Sequence, residues 1–174
     1  MPQHTRSEHG FTLVELMITI AILAIVMSLA VPAFRNMIQE NRATTAANEL
    51  VSALALARSE AIARNRPITV CRRKANTAEC ESGTNWGTGW LVAQITGSGV
   101  SAVTTPIKLW DAPAGTATVT ASVASIVFSS TGTLEPLGNA RTICVSLPLT
   151  SGTTTRRVTV VPGGAHYAQR IACP

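Results

Sequence analysis

The stretch "HGFTLVELMITIAILAIVMSLAVPAF", residues 9–34, decides the fold. Its apolar run covers residues 11–31, and a helix of that length spans a hydrocarbon core of about 30 Å. The run is interrupted by Thr12, Glu15, Thr19 and Ser28. An ionised carboxylate inside such a span is costly unless it has a partner, so Glu15 is the first functional candidate.

A secretory signal peptide is the alternative interpretation of this stretch. Its apolar region would run for only about 7–15 residues and would end at a cleavage site of the A-x-A type. Here the apolar run is longer, and "SLAVPAF" (residues 28–34) leads directly into further helical sequence. The sequence therefore favours a membrane-spanning helix that continues beyond the membrane.

The second part of this helix is amphipathic. Its apolar positions recur at helical spacing, and they are Phe34, Ile38, Leu50, Val51, Leu54, Ala57, Ala61 and Ile62. Pro67 ends the helix because it lacks a donor and biases Arg66 away from helical angles. One helix is thus predicted over residues 11–65, about 80 Å long at 1.5 Å per residue. Pro32 lies within it and is expected to kink it locally.

The charge is concentrated early in the chain. The net charge is +5; residues 35–74 hold eight basic and three acidic residues, whereas residues 75–174 hold five and four. A general nucleic-acid-binding protein would usually be more basic across its folded part. The later residues are rich in Thr, Ser, Gly and Ala, which favours a β-rich domain outside the cytoplasm.

The four cysteines are Cys71, Cys80, Cys144 and Cys173. None forms a C-x-x-C pair, so the spacing does not favour a zinc site. An even number of cysteines behind a membrane segment indicates disulfides in an oxidising compartment. Of the three pairings, Cys71–Cys80 with Cys144–Cys173 is favoured, because each bond closes a segment bounded by predicted strands or by the chain end. Four reduced, buried cysteines are the alternative.

After Pro67 the sequence period changes from helical to extended. Short β-branched runs are separated by Gly, Pro, Asn and Ser, and they cover residues 67–71, 89–95, 103–110, 116–121, 125–130, 141–147 and 156–161. Because no helices intervene, the sheet should be antiparallel and should cover the apolar stripe of the helix. The predicted fold class is α+β, with one long helix, first transmembrane and then amphipathic, packed on an antiparallel β-sheet domain.

The N-terminal pattern resembles that of type IV pilins. The resemblance rests on "GFTLVEL" (residues 10–16), the unbroken apolar run, Pro32 and the continuing amphipathic helix. It implies the pilin fold, cleavage by a prepilin peptidase between Gly10 and Phe11, and methylation of the new Phe11 amine. It also implies that Glu15 pairs with the Phe11 amine of a neighbouring subunit during assembly.

Later motifs are similar to the GspH/FimT branch of minor pilins and pseudopilins. They are "ARSEAIARNRPITVC" (57–71), "NWGTGWLV" (85–92), "SSTGTL" (129–134) and "RTICVS" (141–146). The resemblance implies a leader at residues 1–10, a transmembrane and assembly half at 11–34, an amphipathic half at 35–66 and a β-rich periplasmic domain at 67–174.

The function this resemblance implies is that of a structural subunit. The first hypothesis is a minor pilin of a type IV pilus, in its initiating or tip complex. The alternative is a GspH-type pseudopilin of a type II secretion system. The implied partners are other pilins or pseudopilins, the prepilin peptidase and the inner-membrane assembly machinery.

The expected location is the bacterial inner membrane, with one membrane pass and a periplasmic C-terminal domain. The balance of basic residues does not settle this orientation, because Arg6 precedes the span whereas Arg35 and Arg42 follow it. The cysteines and the cleavage motif favour an external domain.

The sequence does not predict an enzyme, a metal site or a cofactor. A nucleophilic site needs a base and an orienting group beside the nucleophile, but His166 is the only histidine after residue 9 and Asp111 the only aspartate.

DNA binding is the remaining alternative. DNA-uptake pilins of the FimT type carry a Gly-Arg-x-Arg stretch near the C-terminus, which "GGAHYAQR" (163–170) lacks. Cationic side chains beside an aromatic ring could still bind phosphate and stack a base. The candidates are Arg156, Arg157, Tyr167 and Arg170, with Arg72, Arg73 and Lys74 as further cations.

Overall fold

The computed structural model describes residues 11–97, 99 and 102–173. One helix, α1, runs from Leu13 to Arg64, so the predicted single helix over residues 11–65 is confirmed. Pro32 lies inside α1, and the kink expected there stays a prediction. At the C-terminal end, Asn65 adopts the left-handed conformation, and the amide of Arg66 donates to the Ala61 carbonyl at 3.2 Å. This arrangement satisfies the last helical carbonyls before Pro67.

Within the described residues, nine antiparallel strands follow the helix and form two sheets. The first sheet has the strand order β3-β2-β1-β5-β6, and the second has the order β4-β7-β8-β9. The strands are β1 (Ile68–Arg72), β2 (Trp90–Thr96), β3 (Val103–Trp110), β4 (Thr118–Ala121), β5 (Ser125–Phe128), β6 (Leu134–Glu135), β7 (Arg141–Pro148), β8 (Thr153–Val160) and β9 (His166–Gln169).

The antiparallel arrangement and the seven predicted strands are confirmed, and the strands are divided between two sheets. The chain changes sheets between β6 and β7, and β4 leaves the first sheet to pair with β7. Strands β6 and β9 were not predicted. β6 has only two residues, and "HYAQ" in β9 contains no β-branched residue.

The core lies between α1 and the inner faces of both sheets. The buried face of the helix is made mostly of alanine and comprises Ala43, Ala46, Ala47, Leu50, Ala53, Leu54, Ala57 and Ala61. Opposite them, both sheets contribute larger side chains to the same cluster, such as Val70, Phe128, Ile143 and Val158. Small helical side chains let the sheets approach the helix axis closely, so the large residues come from the strands.

Each sheet also has a disulfide on the side away from the main core. Cys71 bonds to Cys80 with a Cα–Cα distance of 5.7 Å, and this pair packs with Leu91 and Ala93 in a small separate cluster. The loop that follows β1 is thereby tethered to the outer face of the first sheet.

The second disulfide fixes the C-terminal tail. Cys144 bonds to Cys173 with a Cα–Cα distance of 6.0 Å. Along the tail, the Thr155 hydroxyl donates to the Ile171 carbonyl at 3.0 Å, and the Arg157 guanidinium donates to the Ala172 carbonyl. The tail therefore crosses the outer face of the second sheet.

Candidate assembly site

The first part of α1 carries large apolar side chains that the other residues described by the structure leave exposed. We call residues 13–38 the exposed arm. Its exposed apolar residues are Leu13, Val14, Leu16, Met17, Ile18, Ile20, Ile22, Leu23, Ile25, Val26, Met27, Leu29, Val31, Phe34, Met37 and Ile38. The apolar window of this helix is long enough to cross a membrane, and none of it is buried in the chain. A surface of this size requires lipid or other helices around it.

The domain begins to contact the helix at the far end of the arm. The amide of Thr150, in the turn between β7 and β8, donates to Oδ1 of Asn36 at 2.9 Å. From Leu13 to this contact the helix is roughly 35 Å long at 1.5 Å per residue, close to the thickness of a hydrocarbon core. The length of free helix thus matches that of a membrane span.

Glu15 lies in the first turn of the arm. Thr12 caps the helix, because its hydroxyl accepts the Glu15 amide at 3.2 Å. A carboxylate in the first turn also interacts favourably with the helix dipole. The interaction of the carboxylate with the helix dipole needs only one subunit, whereas the role that the sequence predicts for it needs a neighbouring subunit. The two are therefore alternative roles for Glu15.

Thr12 is a residue that the sequence interpretation missed. The signal was present, because Thr12-Leu-Val-Glu15 is the T-x-x-E pattern of a capping box before an apolar run. Residues 12–15 therefore begin the helix and hold Glu15 in its first turn.

The predicted cleavage and methylation sites are only partly within the described residues. Gly10 lies outside them, whereas Phe11 is the first described residue and is 82% exposed. Both modifications stay predictions.

The candidate DNA-binding residues form contacts within the chain. Arg156 faces the helix and donates to the Thr44 hydroxyl at 3.1 Å, and Arg170 pairs with Glu40 at 2.6 Å. Arg157 donates to the tail, as described above, and Tyr167 is 45% exposed. The structure therefore does not bring these residues together as an open cationic surface.

The three consecutive cations after β1 are also paired. Arg72 contacts Glu81 at 3.0 Å, Arg73 contacts Asp111 at 2.8 Å and Lys74 contacts Glu79 at 3.5 Å. These ion pairs surround the loop that Cys71–Cys80 closes, which gives the three cations a structural role.

No candidate metal centre is visible in the part of the chain that the structure describes. Within it, no three His, Cys, Asp or Glu side chains are grouped so that they could hold a metal ion. The Nδ1 atom of His166 lies 3.2 Å from the Gly164 carbonyl in the turn before β9. The absence of a metal and a cofactor stays a sequence prediction.

Crystal structures of a type IV minor pilin share this fold. The type IV minor pilin FimU of Pseudomonas aeruginosa PAO1 in space group P21 matches with a TM-score of 0.57 at 24% identity, over 75% of this chain and 90% of that chain. The same protein in space group P65 matches with a TM-score of 0.54 at 24% identity, over 72% and 91%. This likeness confirms the pilin fold, a long N-terminal helix packed on antiparallel sheets.

Family models match most of the chain. The prokaryotic N-terminal methylation motif covers residues 5–31, which include Glu15 and most of the arm. The model described as type II transport protein GspH covers residues 46–164, which include the docked part of the helix and all strands except β9. No curated protein matches the chain in sequence. With these two matches in order along it, the chain belongs to the GspH family and is a minor pilin or pseudopilin.

Proposed function

We propose that this protein is a minor pilin that assembles into a type IV pilus, in its initiating or tip complex. The observation that carries the proposal is the exposed arm with one carboxylate near its start, joined without a break to a folded domain. The similarity of this fold to that of FimU, a type IV minor pilin, supports the choice of a pilus. The two disulfides are consistent with an oxidising compartment.

Before assembly, the protein is proposed to reside in the bacterial inner membrane with its C-terminal domain in the periplasm. A prepilin peptidase would remove residues 1–10 by cutting between Gly10 and Phe11, and the Phe11 amine would then be methylated. The inner-membrane assembly machinery would extract the processed subunit into the fibre.

Glu15 would act during assembly. An isolated carboxylate in an apolar surrounding is unfavourable, and a positively charged partner removes much of that cost. The Phe11 amine of an adjacent subunit is such a partner. Docked subunits would be favoured over undocked ones because the charge is compensated only after docking.

The substitution Glu15→Leu tests this proposal. We expect the variant to be processed and inserted into the membrane at normal levels but to be nearly absent from sheared fibres, as measured by immunoblotting. Glu60→Leu is the matched control: Glu60 lies on the same helix, pairs with Arg64 at 2.5 Å and is remote from the arm.

Thr12→Ala separates the two roles of the first turn. It removes the cap and keeps the carboxylate, so the variant should still enter fibres. Normal incorporation of Glu15→Leu would overturn the assembly role. Equal loss in Thr12→Ala and Glu15→Leu would instead assign the effect to helix capping.

A GspH-type pseudopilin of a type II secretion system is the second candidate function. It is favoured by the family model, whose description is a type II transport protein. Deletion of the gene distinguishes the two: loss of surface pili with normal secretion supports the pilus, and the reverse supports the secretion system. DNA binding is not proposed, because the candidate cations contact other parts of the chain.

A further inference from the structure

A groove lies beside α1 at the end of the exposed arm. Its volume is about 610 Å³, and one wall is the segment from Leu109 to Ala114 at the end of β3. The opposite wall is the helix, and its lining residues are Ile38, Asn41, Arg42, Thr45, Ala46 and Glu49. The groove therefore starts at the last residue of the arm and continues between the helix and the domain.

The mouth of the groove lies at the height expected for phospholipid headgroups. A helix that enters the hydrocarbon core at Leu13 leaves it near Ala33, because about 20 residues cross a core of about 30 Å. The headgroup layer extends about 5–7 Å beyond the core, and Ile38 lies about 7 Å beyond Ala33 along the helix. Long side chains on a helix point back toward its N-terminus, so the Arg42 side chain extends from the next turn toward this layer.

The helix wall of the groove carries two opposite charges in a fixed order. Arg42 is nearer the arm, and Glu49 lies two turns further on, about 10 Å away at 1.5 Å per residue. Seven-residue spacing places both on one face of the helix. Within the residues that the structure describes, neither forms an ion pair with another side chain.

The two walls approach each other at Arg42. Its Nη1 atom is 2.8 Å from the position that a Cβ atom on Gly115 would occupy, so the guanidinium reaches the loop that continues the opposite wall. Asp111 on that wall pairs with Arg73 at 2.8 Å. Glu49 is therefore the groove carboxylate that has a charge to offer to a ligand.

The wall opposite the helix is mainly apolar. Leu109 is 41% exposed, Trp110 is half-buried, and Ala112, Pro113 and Ala114 complete the wall. Tryptophan is enriched where a membrane meets water, because its ring is amphipathic. This wall suits the glycerol and the first methylene groups of a lipid.

We propose that the groove binds one phospholipid with a phosphoethanolamine headgroup. The phosphate accepts hydrogen bonds from the Arg42 guanidinium at the membrane end, and the ammonium donates to the Glu49 carboxylate at the far end. The two-carbon linker between them, with a hydrogen bond of about 2.8 Å at each end, gives this headgroup the length to join the two charges. The acyl chains follow the arm back into the hydrocarbon core.

This inference rests on the membrane location in the proposed function, since only a span that ends near Ala33 brings headgroups to the groove. It adds a lipid ligand and a site for it on the folded domain. The bound lipid would fix how far the domain stands above the membrane before the subunit is extracted.

The order of the charges selects this headgroup over two others. Phosphatidylglycerol offers the same phosphate but no cation, so Glu49 would stay without a partner. In phosphatidylcholine the nitrogen carries three methyl groups and no N–H, so it cannot donate a hydrogen bond to the carboxylate. Phosphatidylethanolamine supplies both the phosphate and the donor.

Native mass spectrometry of the full-length chain in detergent tests the inference. The chain is mixed with equimolar phosphatidylethanolamine, phosphatidylglycerol and phosphatidylcholine that carry the same acyl chains, and the lipid retained on the chain is measured. We expect one molecule of phosphatidylethanolamine, retained about fivefold more than either other lipid, the upper range for one exposed ion pair.

Two variants divide the headgroup between its two charges. Glu49→Gln should lower the retention of phosphatidylethanolamine to the level of phosphatidylcholine and leave the other two lipids unchanged. Arg42→Gln should lower the retention of all three lipids by about fivefold, because each has the phosphate.

Arg35→Gln is the matched control. Arg35 lies seven residues before Arg42 on the same face of the helix, but it does not line the groove. The variant should keep the preference for phosphatidylethanolamine, which separates the groove from a general attraction between arginine and lipid headgroups. Hydrogen exchange then locates the lipid: residues 109–114 should exchange more slowly in vesicles that contain phosphatidylethanolamine than in phosphatidylcholine vesicles.

The outcomes separate this inference from the proposed function. Equal retention of the three lipids, or a preference that survives both Arg42→Gln and Glu49→Gln, would overturn the lipid site. Displacement of the lipid by water-soluble glycerophosphoethanolamine would overturn it as well, because the ligand would then be a soluble molecule. A full-length chain that does not float with vesicles would contradict the proposed membrane location. If the chain floats and Glu15→Leu is absent from fibres, but no headgroup is preferred, the proposed function stands and the groove site is rejected.

Discussion

The two halves of α1 are one continuous helix, yet their side chains follow opposite rules. The exposed arm carries large apolar residues, such as Leu23 and Ile25, that the rest of the described chain leaves exposed. The docked half, residues 43–61, buries mainly alanine beneath the two sheets. The two faces differ in side-chain size more than in hydrophobicity. The face that packs against a sheet has small side chains, and the face that is left for lipid or another helix has large ones.

This difference predicts which half of α1 contributes to the free energy of unfolding of the domain. Leu54 is fully buried in the docked half, whereas Leu23 is 53% exposed in the arm. Leu54→Ala should lower stability by about 2–5 kcal/mol, because it removes buried methyl groups and leaves a cavity. Leu23→Ala should change the melting temperature of the detergent-solubilised full-length chain very little. Equal shifts for the two variants would show that the arm also folds onto the domain.

The disulfides sharpen the comparison, because both lie in the domain. The chain-entropy model gives about 3.5 kcal/mol for Cys144–Cys173 and about 2.5 kcal/mol for Cys71–Cys80, since their sequence separations are 29 and 9. Replacement of both Cys144 and Cys173 by Ser should therefore lower the melting temperature more than replacement of both Cys71 and Cys80 by Ser. Circular dichroism in micelles should show that the arm stays helical in both. The opposite order would mean that native-state strain outweighs loop entropy.

A smaller effect is expected where the docked half meets two turns. Arg58 donates to the Gly163 carbonyl at 3.2 Å, and Gly132, with φ of +77°, lies against Ile62 and Arg58. A Cβ on Gly132 would be 2.7 Å from Cδ1 of Ile62, so Gly132→Ala should cost about 1–2 kcal/mol through backbone strain and crowding. Gly138→Ala is the control, because nothing lies within 4 Å of its Cβ position. Equal melting temperatures of the two variants would show that this contact is loose.

The sequence predicted the elements of the fold better than their arrangement. Helix period, Pro67 and β-branched runs are local signals, and they placed α1 within two residues at its N-terminal end and one at its C-terminal end. Pairing between strands is not local. Nothing in the sequence of "TATVTA" (116–121) indicates that β4 pairs with β7 in the second sheet and does not join the first.

The composition of the buried helix face was also hard to predict. The apolar stripe included Phe34, Ile38 and Ile62 because they are large, but all three are exposed. Alanine gives a weak periodic signal, so Ala43 and Ala47 were missed although both are buried in the interface. For the assembly site, the sequence interpretation identified Glu15 and missed Thr12, the N-cap of the helix, although the T-x-x-E pattern is a local signal.

The smallest effect is expected at the start of the arm. Thr12→Ala removes the hydroxyl that accepts the Glu15 amide, which should cost about 1 kcal/mol of local helix stability. Because the first turn lies about 35 Å along the helix from the hydrogen bond between Asn36 and the domain, the loss should appear as faster hydrogen exchange in the first turn, with the melting temperature of the domain unchanged. Thr19→Ala is the matched control: its hydroxyl donates back to the Leu16 carbonyl inside the helix at 2.8 Å and caps nothing. A drop in domain melting temperature with Thr12→Ala would mean that the two halves of α1 unfold together.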